Sequence, residues 1–168
     1  PKHKGACKKR AAELRDELLF KQPESSHFGD CPICCLPLSH DPQKSTLMPC
    51  CSKIVCDGCV YANAIREHKQ KLQIKCPFCR LPSPKSHEEA DMQIMKRAQA
   101  NDPVAISLIA LKRNDEGNYE GAVEYYTKAA ELGDIASHYL LSTMYQGGLC
   151  GEKNKKMEVY HLEKAAIG

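Results

Sequence analysis

Eight cysteines of this chain occur as four close pairs within one short stretch, and this spacing is typical of metal ligands. Three of the pairs are separated by two residues, and the fourth is adjacent. The pairs are Cys31 with Cys34, Cys50 with Cys51, Cys56 with Cys59, and Cys76 with Cys79. A two-residue gap lets both thiolates of a tight turn bind one ion, and Zn²⁺ accepts tetrahedral sets of Cys or His. The pattern therefore predicts zinc sites.

Zinc is favoured over disulfides by the setting of these cysteines. Nine of the eleven cysteines lie at residues 31–79, a stretch too short to bury a large apolar core without a staple. The N-terminus is basic and polar, and we find neither a signal-peptide h-region nor an apolar run of membrane-spanning length. Unless the chain is a mature secreted fragment, we expect a reducing compartment, cytoplasmic or nuclear, where paired thiols bind zinc.

The formal charge of +3 first suggests a nucleic-acid partner. Two Zn²⁺ ions would add four positive charges and eight thiolates eight negative ones, so the loaded chain would carry a charge of about −1. Binding of single-stranded nucleic acid would require aromatic residues among the basic ones, and this chain has few of them. The basic cluster at residues 2–10 is interpreted as a solvated helix start or tail rather than as a nuclear address or an anion-binding arm. We expect no nucleic-acid partner.

The segments that carry the cysteine pairs have the pattern of a small mixed domain. Two knuckle turns, each beginning Cys-Pro, enclose two short predicted strands, Ser45–Met48 and Lys53–Cys56. The tip of this hairpin carries Cys50 and Cys51. A predicted helix at residues 60–71 follows the third pair, so the order is knuckle, hairpin, helix and knuckle.

The flanking segments are predicted to be helical. Residues 6–21 have apolar positions at helical spacing and predict an amphipathic helix, followed by a polar linker. Two prolines at residues 81–85 break the chain after the last cysteine pair. Ser86 has glutamate three residues later, a capping box that opens a helix to about Ala100. Asp102, followed by proline, starts the next helix.

The C-terminal part contains an internal repeat. The sequence Lys-Ala-Ala-Glu-Leu-Gly at residues 128–133 recurs in shortened form at residues 164–168, with the two lysines 36 residues apart. Each unit is predicted to be a helix, a turn and a helix. The turns are expected at residues 114–117 and 146–151.

The cysteine-rich stretch, residues 30–82, resembles the RING finger in the order and lengths of its parts. In that family the pairs alternate between two ions in a cross-brace. The resemblance implies a small α+β domain with two Zn²⁺ as cofactors. It assigns Cys31, Cys34, Cys56 and Cys59 to one ion, and Cys50, Cys51, Cys76 and Cys79 to the other.

The sequence departs from the common RING pattern at one ligand. That pattern places histidine two residues after the third ligand, and counting from Cys51 this position is Lys53, which cannot bind zinc while charged. Eight-cysteine variants of the family use a second cysteine, which the pair Cys50 and Cys51 supplies with one residue fewer between the ligands. The alternative is that His68 or His40 replaces one of the two. Three further cysteines are assigned no metal role: Cys35 as a small buried hydrophobe, and Cys7 and Cys150 as incidental.

The RING resemblance also implies a function. Four thiolates leave no open coordination position for water, which argues against zinc hydrolysis. In RING ubiquitin ligases the ions shape a shallow groove that docks a ubiquitin-conjugating enzyme. The resemblance implies Ile33 and Pro77 as partner contacts and Arg80 as the linchpin-type catalytic residue, which binds conjugating enzyme and ubiquitin without a covalent intermediate. An exposed arginine at this position has no evident structural duty. The alternative function is a zinc-stabilised interaction scaffold without transferase activity.

Residues 102–168 resemble the Sel1-like and tetratricopeptide repeat family. The resemblance is carried by Ala122, Tyr126, Lys128, Ala129, Ala130 and Gly133 in the first unit, and by Tyr145, Gly147, Gly148, Lys164, Ala165, Ala166 and Gly168 in the second. Small residues would let helices approach, and leucines would fill the space between layers, namely Leu108, Leu140, Leu141 and Leu162. The resemblance implies an all-α helical-repeat region that recruits a protein substrate or adaptor. Two units are marginal, so we expect further repeats after residue 168 or packing on the zinc finger.

The expected organisation follows from both resemblances. It comprises an N-terminal amphipathic helix and linker at residues 1–29, the RING-type zinc finger at 30–82, a linker helix at 83–101, and two repeats at 102–168.

Overall fold

A computed structural model describes residues 29–149 and 151–167. The predicted N-terminal helix, the basic cluster, Cys7 and Cys150 lie outside these residues. The described elements are a 3₁₀ turn (Pro42–Lys44), strands β1 (Ser45–Met48) and β2 (Lys53–Cys56), and helices α1 (Asp57–Lys69), α2 (His87–Gln99), α3 (Pro103–Asp115), α4 (Tyr119–Glu131), α5 (Ile135–Gly147) and α6 (Lys155–Ile167). This is a mainly helical chain with one small sheet. None of the helices in the described part has the length and apolar character needed to cross a bilayer.

The two strands form the predicted hairpin. They pair antiparallel along their whole length, and their bounds agree with the sequence-based prediction. Val55 is fully buried and Met48 nearly so, because alternate strand residues point to one face. At the tip, the N–H groups of Cys51 and Ser52 both donate to the Met48 carbonyl, at 3.3 and 2.8 Å. This tight tip brings Cys50 and Cys51 close to the other end of the domain.

Helix α1 begins three residues earlier than predicted, at Asp57, and ends at Lys69. The hydroxyl of Thr46 on β1 donates to the Asp57 carboxylate at 2.8 Å. A carboxylate is also favoured in the first turn, near the positive end of the helix dipole. The helix therefore follows β2 without a loop. Cys56 ends the strand and Cys59 lies in the first helical turn, so both are held by regular structure.

The later helices begin at capping residues, two of which the sequence predicts. The hydroxyl of Ser86 accepts from the Glu89 N–H at 3.3 Å, and the Asp102 carboxylate accepts from the Val104 N–H at 3.1 Å. The reciprocal bond of the capping box is shifted by one residue, because the Glu89 carboxylate accepts from the N–H of Lys85 at 2.7 Å. The predicted starts of α2 and α3 are confirmed.

Each helix from α2 to α6 packs on the next one in sequence. Alanines occupy the closest contacts, with no exposed surface at Ala105, Ala110, Ala122 and Ala129. Larger side chains fill the remaining space, chiefly Tyr126, Ile106, Leu141 and Met144. Small residues let helix axes approach, so the contacts depend on alanine.

The four leucines expected between helix layers differ in burial. Leu141 is fully buried, while Leu108 and Leu140 are half-buried. Leu162 is 47 % exposed, so its expected place in the core is wrong for the described chain. It lies on α6, the last described helix, and no later described helix covers it.

Replacing Leu141 with alanine is expected to lower the free energy of unfolding of the helical region by about 2–5 kcal/mol, because it leaves a cavity in a packed core. Leu132→Ala is the matched control. Leu132 is 44 % exposed, so its truncation should change the same free energy by less than about 0.5 kcal/mol. Urea unfolding followed by circular dichroism at 222 nm measures both. Equal losses in the two variants would contradict the assigned core.

A hydrogen bond joins the end of the cysteine-rich stretch to α2, and an ion pair then joins α2 to the start of α3. The side-chain amide of Gln93 donates to the Pro82 carbonyl at 3.3 Å. Arg97 binds the Asp102 carboxylate through its Nε and one Nη, at 2.8 and 2.5 Å. Burial raises the pKa of Asp102, but hydrogen bonds from Arg97 and from Ser52 of the hairpin tip outweigh it and lower the pKa. The Arg97–Asp102 ion pair therefore joins the end of α2 to the start of α3.

Candidate metal centres and the adjoining groove

The first metal-binding group joins the first knuckle turn to the β2–α1 junction. The Sγ atoms of Cys31, Cys34, Cys56 and Cys59 all lie within 4.8 Å of one another. Cys34 Sγ and Cys56 Sγ are 3.7 Å apart. Four sulfurs at about 2.3 Å from one tetrahedral Zn²⁺ would be about 3.8 Å apart. The group has the donor set and the size for one zinc ion.

The second group joins the hairpin tip to the last knuckle turn. The Sγ atoms of Cys50, Cys51, Cys76 and Cys79 also lie within 4.8 Å of one another. The distance is 3.9 Å from Cys51 to Cys76 and 3.3 Å from Cys50 to Cys79. The adjacent pair at the tip therefore supplies two sulfurs to one group, with Cys50 buried and Cys51 half-buried.

Two separate four-cysteine groups provide places for two metal ions, which confirms the expectation of two zinc ions. The groups alternate along the sequence, since the second pair lies between the two pairs of the first group. His40 and His68 are exposed, and within the described ranges neither joins a metal-binding group. The alternative in which one of them replaces Cys50 or Cys51 therefore finds no support in the geometry.

The two knuckle turns share more than their cysteines. Each continues with one variable residue and then Leu-Pro. The variable residues, Cys35 and Arg80, have φ angles of 55° and 65° and donate their N–H to the carbonyl of the first cysteine, at 2.9 and 3.0 Å. Isolated bridges then close both turns, Asp30 with Pro37 and Lys75 with Pro82. The repeated Leu-Pro is a signal that the sequence-based prediction did not use, and it marks Cys35 and Arg80 as equivalent positions.

Cys35 is exposed, so its interpretation as a buried hydrophobe is wrong. It follows the turn in the left-handed conformation, while the four sulfurs of the first group come from other residues. An exposed thiol beside a four-thiolate group supplies a natural control for the ligand assignment.

The packed thiols favour a cation between them. Burial raises the pKa of Cys50, and the neighbouring thiols of Cys79 and Cys76 raise it further. Burial and the surrounding thiols likewise raise the pKa of Cys59 to about 12. Burial also raises the pKa of Cys31, but hydrogen bonds from the backbone of Cys34 and Cys56 outweigh it and lower the pKa to about 6. A divalent cation between the four sulfurs of each group favours the thiolate form of all of them, and zinc binding releases the protons that the thiols still carry.

A shallow groove of about 470 Å³ adjoins the first metal-binding group. Ile33 comes from the first knuckle turn, while Pro77 and Arg80 come from the last one. Helix α1 supplies the floor. The lining residues are Ile33, Cys59, Ala62, Asn63, Arg66, Pro77 and Arg80. The groove thus combines apolar side chains with two guanidinium groups, and none of its lining residues in the described ranges carries a carboxylate.

Arg80 has structural partners, so the view that it has no structural duty is wrong. Its Nη2 lies 2.8 Å from Oε1 of Glu67 on α1, and its Nη1 donates to Oδ1 of Asn63 at 2.9 Å. The Glu67 side chain is 1 % exposed and that of Arg80 47 %. The N–H of Lys75 contributes most to holding the pKa of Glu67 below its usual range, and Arg80 and Asn63 contribute too. Sequence reasoning missed Glu67, because a glutamate in a polar helix gives no local sign of burial.

No protein-family model and no curated protein matches this chain. The chemistry that the geometry supports is that of two closed four-thiolate groups, which hold the fold, and of a groove with an oriented arginine at its rim.

Proposed function

We propose that this protein is a RING-type ubiquitin ligase, which docks a ubiquitin-conjugating enzyme in the groove and orients its ubiquitin thioester. One observation carries the proposal. Ile33, Pro77 and Arg80, which the RING resemblance implies as functional residues, line the same groove although they come from opposite ends of the cysteine-rich stretch. Ile33 is 40 % exposed and available to a partner.

In the proposed mechanism zinc only holds the turns that carry these residues. Ile33 and Pro77 bury apolar surface of the conjugating enzyme, and the guanidinium of Arg80 donates to carbonyl groups of the enzyme and of ubiquitin. This restricts the thioester to a conformation that a substrate lysine can attack. The lysine amine attacks the thioester carbonyl and forms the new amide bond, the C–S bond breaks, and the thiol of the conjugating enzyme leaves with the proton that the amine loses. The ligase itself forms no covalent bond.

We further propose that residues 102–168 are two repeats of the Sel1-like or tetratricopeptide type that recruit a substrate or adaptor, and that residues 30–82 form the RING domain. The supporting observations are two helix pairs, α3 with α4 and α5 with α6, and the alanines at their contacts. Exposed aromatic and aliphatic side chains on α5 and α6 give this region surface for a protein partner, among them Ile135, Tyr139 and Tyr160.

Ile33→Ala is expected to weaken binding of the conjugating enzyme about 5- to 30-fold, because a buried apolar contact at the centre of an interface would be lost. Ile65→Ala is the matched control, since Ile65 has nearly the same exposure, 37 % against 40 %, and lies outside the groove lining. Isothermal titration with a panel of conjugating enzymes measures both variants. Equal weakening by the two variants, or no binding to any enzyme by wild type, would contradict the proposed docking site.

The second proposal is a zinc-stabilised interaction scaffold without transferase activity. It is favoured by the ion pair between Arg80 and Glu67, which gives the arginine a role within the fold. Discharge of ubiquitin separates the two proposals, because a scaffold can bind a conjugating enzyme but leaves the rate of discharge unchanged.

A further inference from the structure

Glu67 is a fully buried carboxylate whose contacts join α1 to the last knuckle turn. Its Oε2 accepts from the N–H of Lys75 at 2.7 Å and from the Asn63 amide at 3.1 Å. Its Oε1 lies 2.8 Å from Arg80 Nη2 and 3.6 Å from Arg66 Nη2. Burial of a charge is costly unless hydrogen bonds and an opposite charge compensate it. The domain therefore keeps Glu67 charged with a dedicated set of donors.

The Arg80 side chain is held at two points. One terminal nitrogen donates to Asn63 and the other pairs with Glu67. A guanidinium is planar, so two fixed nitrogens set the orientation of the whole group. It carries five N–H donors, and with the side chain 47 % exposed the remaining donors are accessible from the groove.

The charge at the rim favours a partner with acceptor oxygens. Arg66 and Arg80 both line the groove, and both guanidiniums lie near the single carboxylate of Glu67. One negative charge against two positive ones leaves the rim positive. A charged arginine in a fixed orientation forms stronger and more directional bonds to carbonyl or carboxylate oxygens than a mobile one.

We propose that Glu67 is a positioning residue, which fixes the guanidinium of Arg80 in the orientation that a ubiquitin-loaded partner meets. The inference rests on the proposed ligase function for the identity of that partner. Glu67 itself contacts neither partner nor substrate, because it is buried beneath the groove. Its effect on ubiquitin transfer passes through Arg80.

A double-mutant cycle tests this dependence in the full chain. Glu67→Gln keeps an acceptor for the Lys75 N–H and removes the charge that pairs with Arg80. We expect it to slow ubiquitin discharge about tenfold, because the Arg80 guanidinium loses one of its two anchors, while binding of the conjugating enzyme changes less than about twofold. In the Arg80→Ala background, Glu67→Gln should cause no further loss. The exposed Glu124 on α4 supplies the control Glu124→Gln, which should have no effect.

Equal slowing by Glu67→Gln in both backgrounds would overturn the proposal, because Glu67 would then act on the fold and not through Arg80. An unchanged rate in Glu67→Gln would overturn it too. Zinc content is measured for each variant, and two ions per chain show that the metal sites are intact.

A second measurement needs neither a variant nor ligase activity. Nitrogen-15 NMR of the arginine side chains of the wild-type chain reports how fast each guanidinium rotates. We expect slower rotation for Arg80, held by Glu67 and Asn63, than for free arginine in the same buffer. Fast rotation of Arg80 would overturn the positioning role. If wild type fails to accelerate discharge but Arg80 rotates slowly, the ligase proposal fails while the fixed orientation of Arg80 stands.

Discussion

Cys76→Ser is expected to abolish the second metal site and unfold most of residues 30–82. Cys76 is 1 % exposed, and its Sγ lies 3.9 Å from that of Cys51. A structural zinc ion contributes about 10–16 kcal/mol, which is as much as the whole stability of a typical small domain. The variant should therefore bind at most one zinc ion. Native mass spectrometry counts the bound ions, and amide NMR shifts report the loss of the fold.

Cys35→Ser is the matched control for this loss. Cys35 directly follows a ligand in sequence, yet its side chain is exposed and it belongs to neither four-cysteine group. This variant should keep two zinc ions and the wild-type spectrum. Two ions bound to Cys76→Ser, or fewer than two bound to Cys35→Ser, would show that the ligand sets are assigned incorrectly.

Arg80→Ala is expected to slow ubiquitin discharge about 10- to 100-fold, because in the proposed mechanism it removes donors that act on the thioester in its reactive conformation. Binding of the conjugating enzyme should weaken only slightly, since Ile33 and Pro77 remain in the groove. Single-turnover discharge to free lysine measures the rate, and titration measures the affinity.

Loss of Arg80 also leaves Glu67 buried without its closest positive partner, so the control must exclude unfolding. Arg113→Ala removes an arginine on α3, far along the sequence from the groove, and should leave discharge unchanged. Zinc content and thermal unfolding are compared for both variants. If Arg80→Ala keeps two zinc ions and discharges ubiquitin at the wild-type rate, the linchpin role of Arg80 is wrong.

The cysteine spacing and strand pattern predicted the zinc-binding architecture closely, because both are local signals. The observed strand bounds equal the predicted ones, and the structure has two cysteine groups for the two expected ions. The sequence pattern predicts the start of α1 three residues too late, because Thr46 holds the first turn through a contact between residues 11 apart in sequence. Such a tertiary bond leaves no trace in a local pattern.

The groove is the part that sequence predicted least completely. Ile33, Pro77 and Arg80 could be named from a resemblance, but the partners of Arg80 could not. Glu67 lies 13 residues from Arg80 along the chain, and only folding brings them within 2.8 Å. Burial of Glu67 likewise depends on where the last knuckle turn packs on α1. The hydrophobic pattern of the sequence does not predict that position.

The most direct test of the account is single-turnover discharge of ubiquitin from a conjugating enzyme to free lysine, with and without the zinc-loaded wild-type chain. We predict that the protein accelerates discharge by at least about tenfold with at least one enzyme of a panel, and that zinc removal abolishes the acceleration. If the chain with two zinc ions bound leaves the discharge rate of every tested enzyme unchanged, the ligase function is contradicted. The scaffold function would then remain as the proposal.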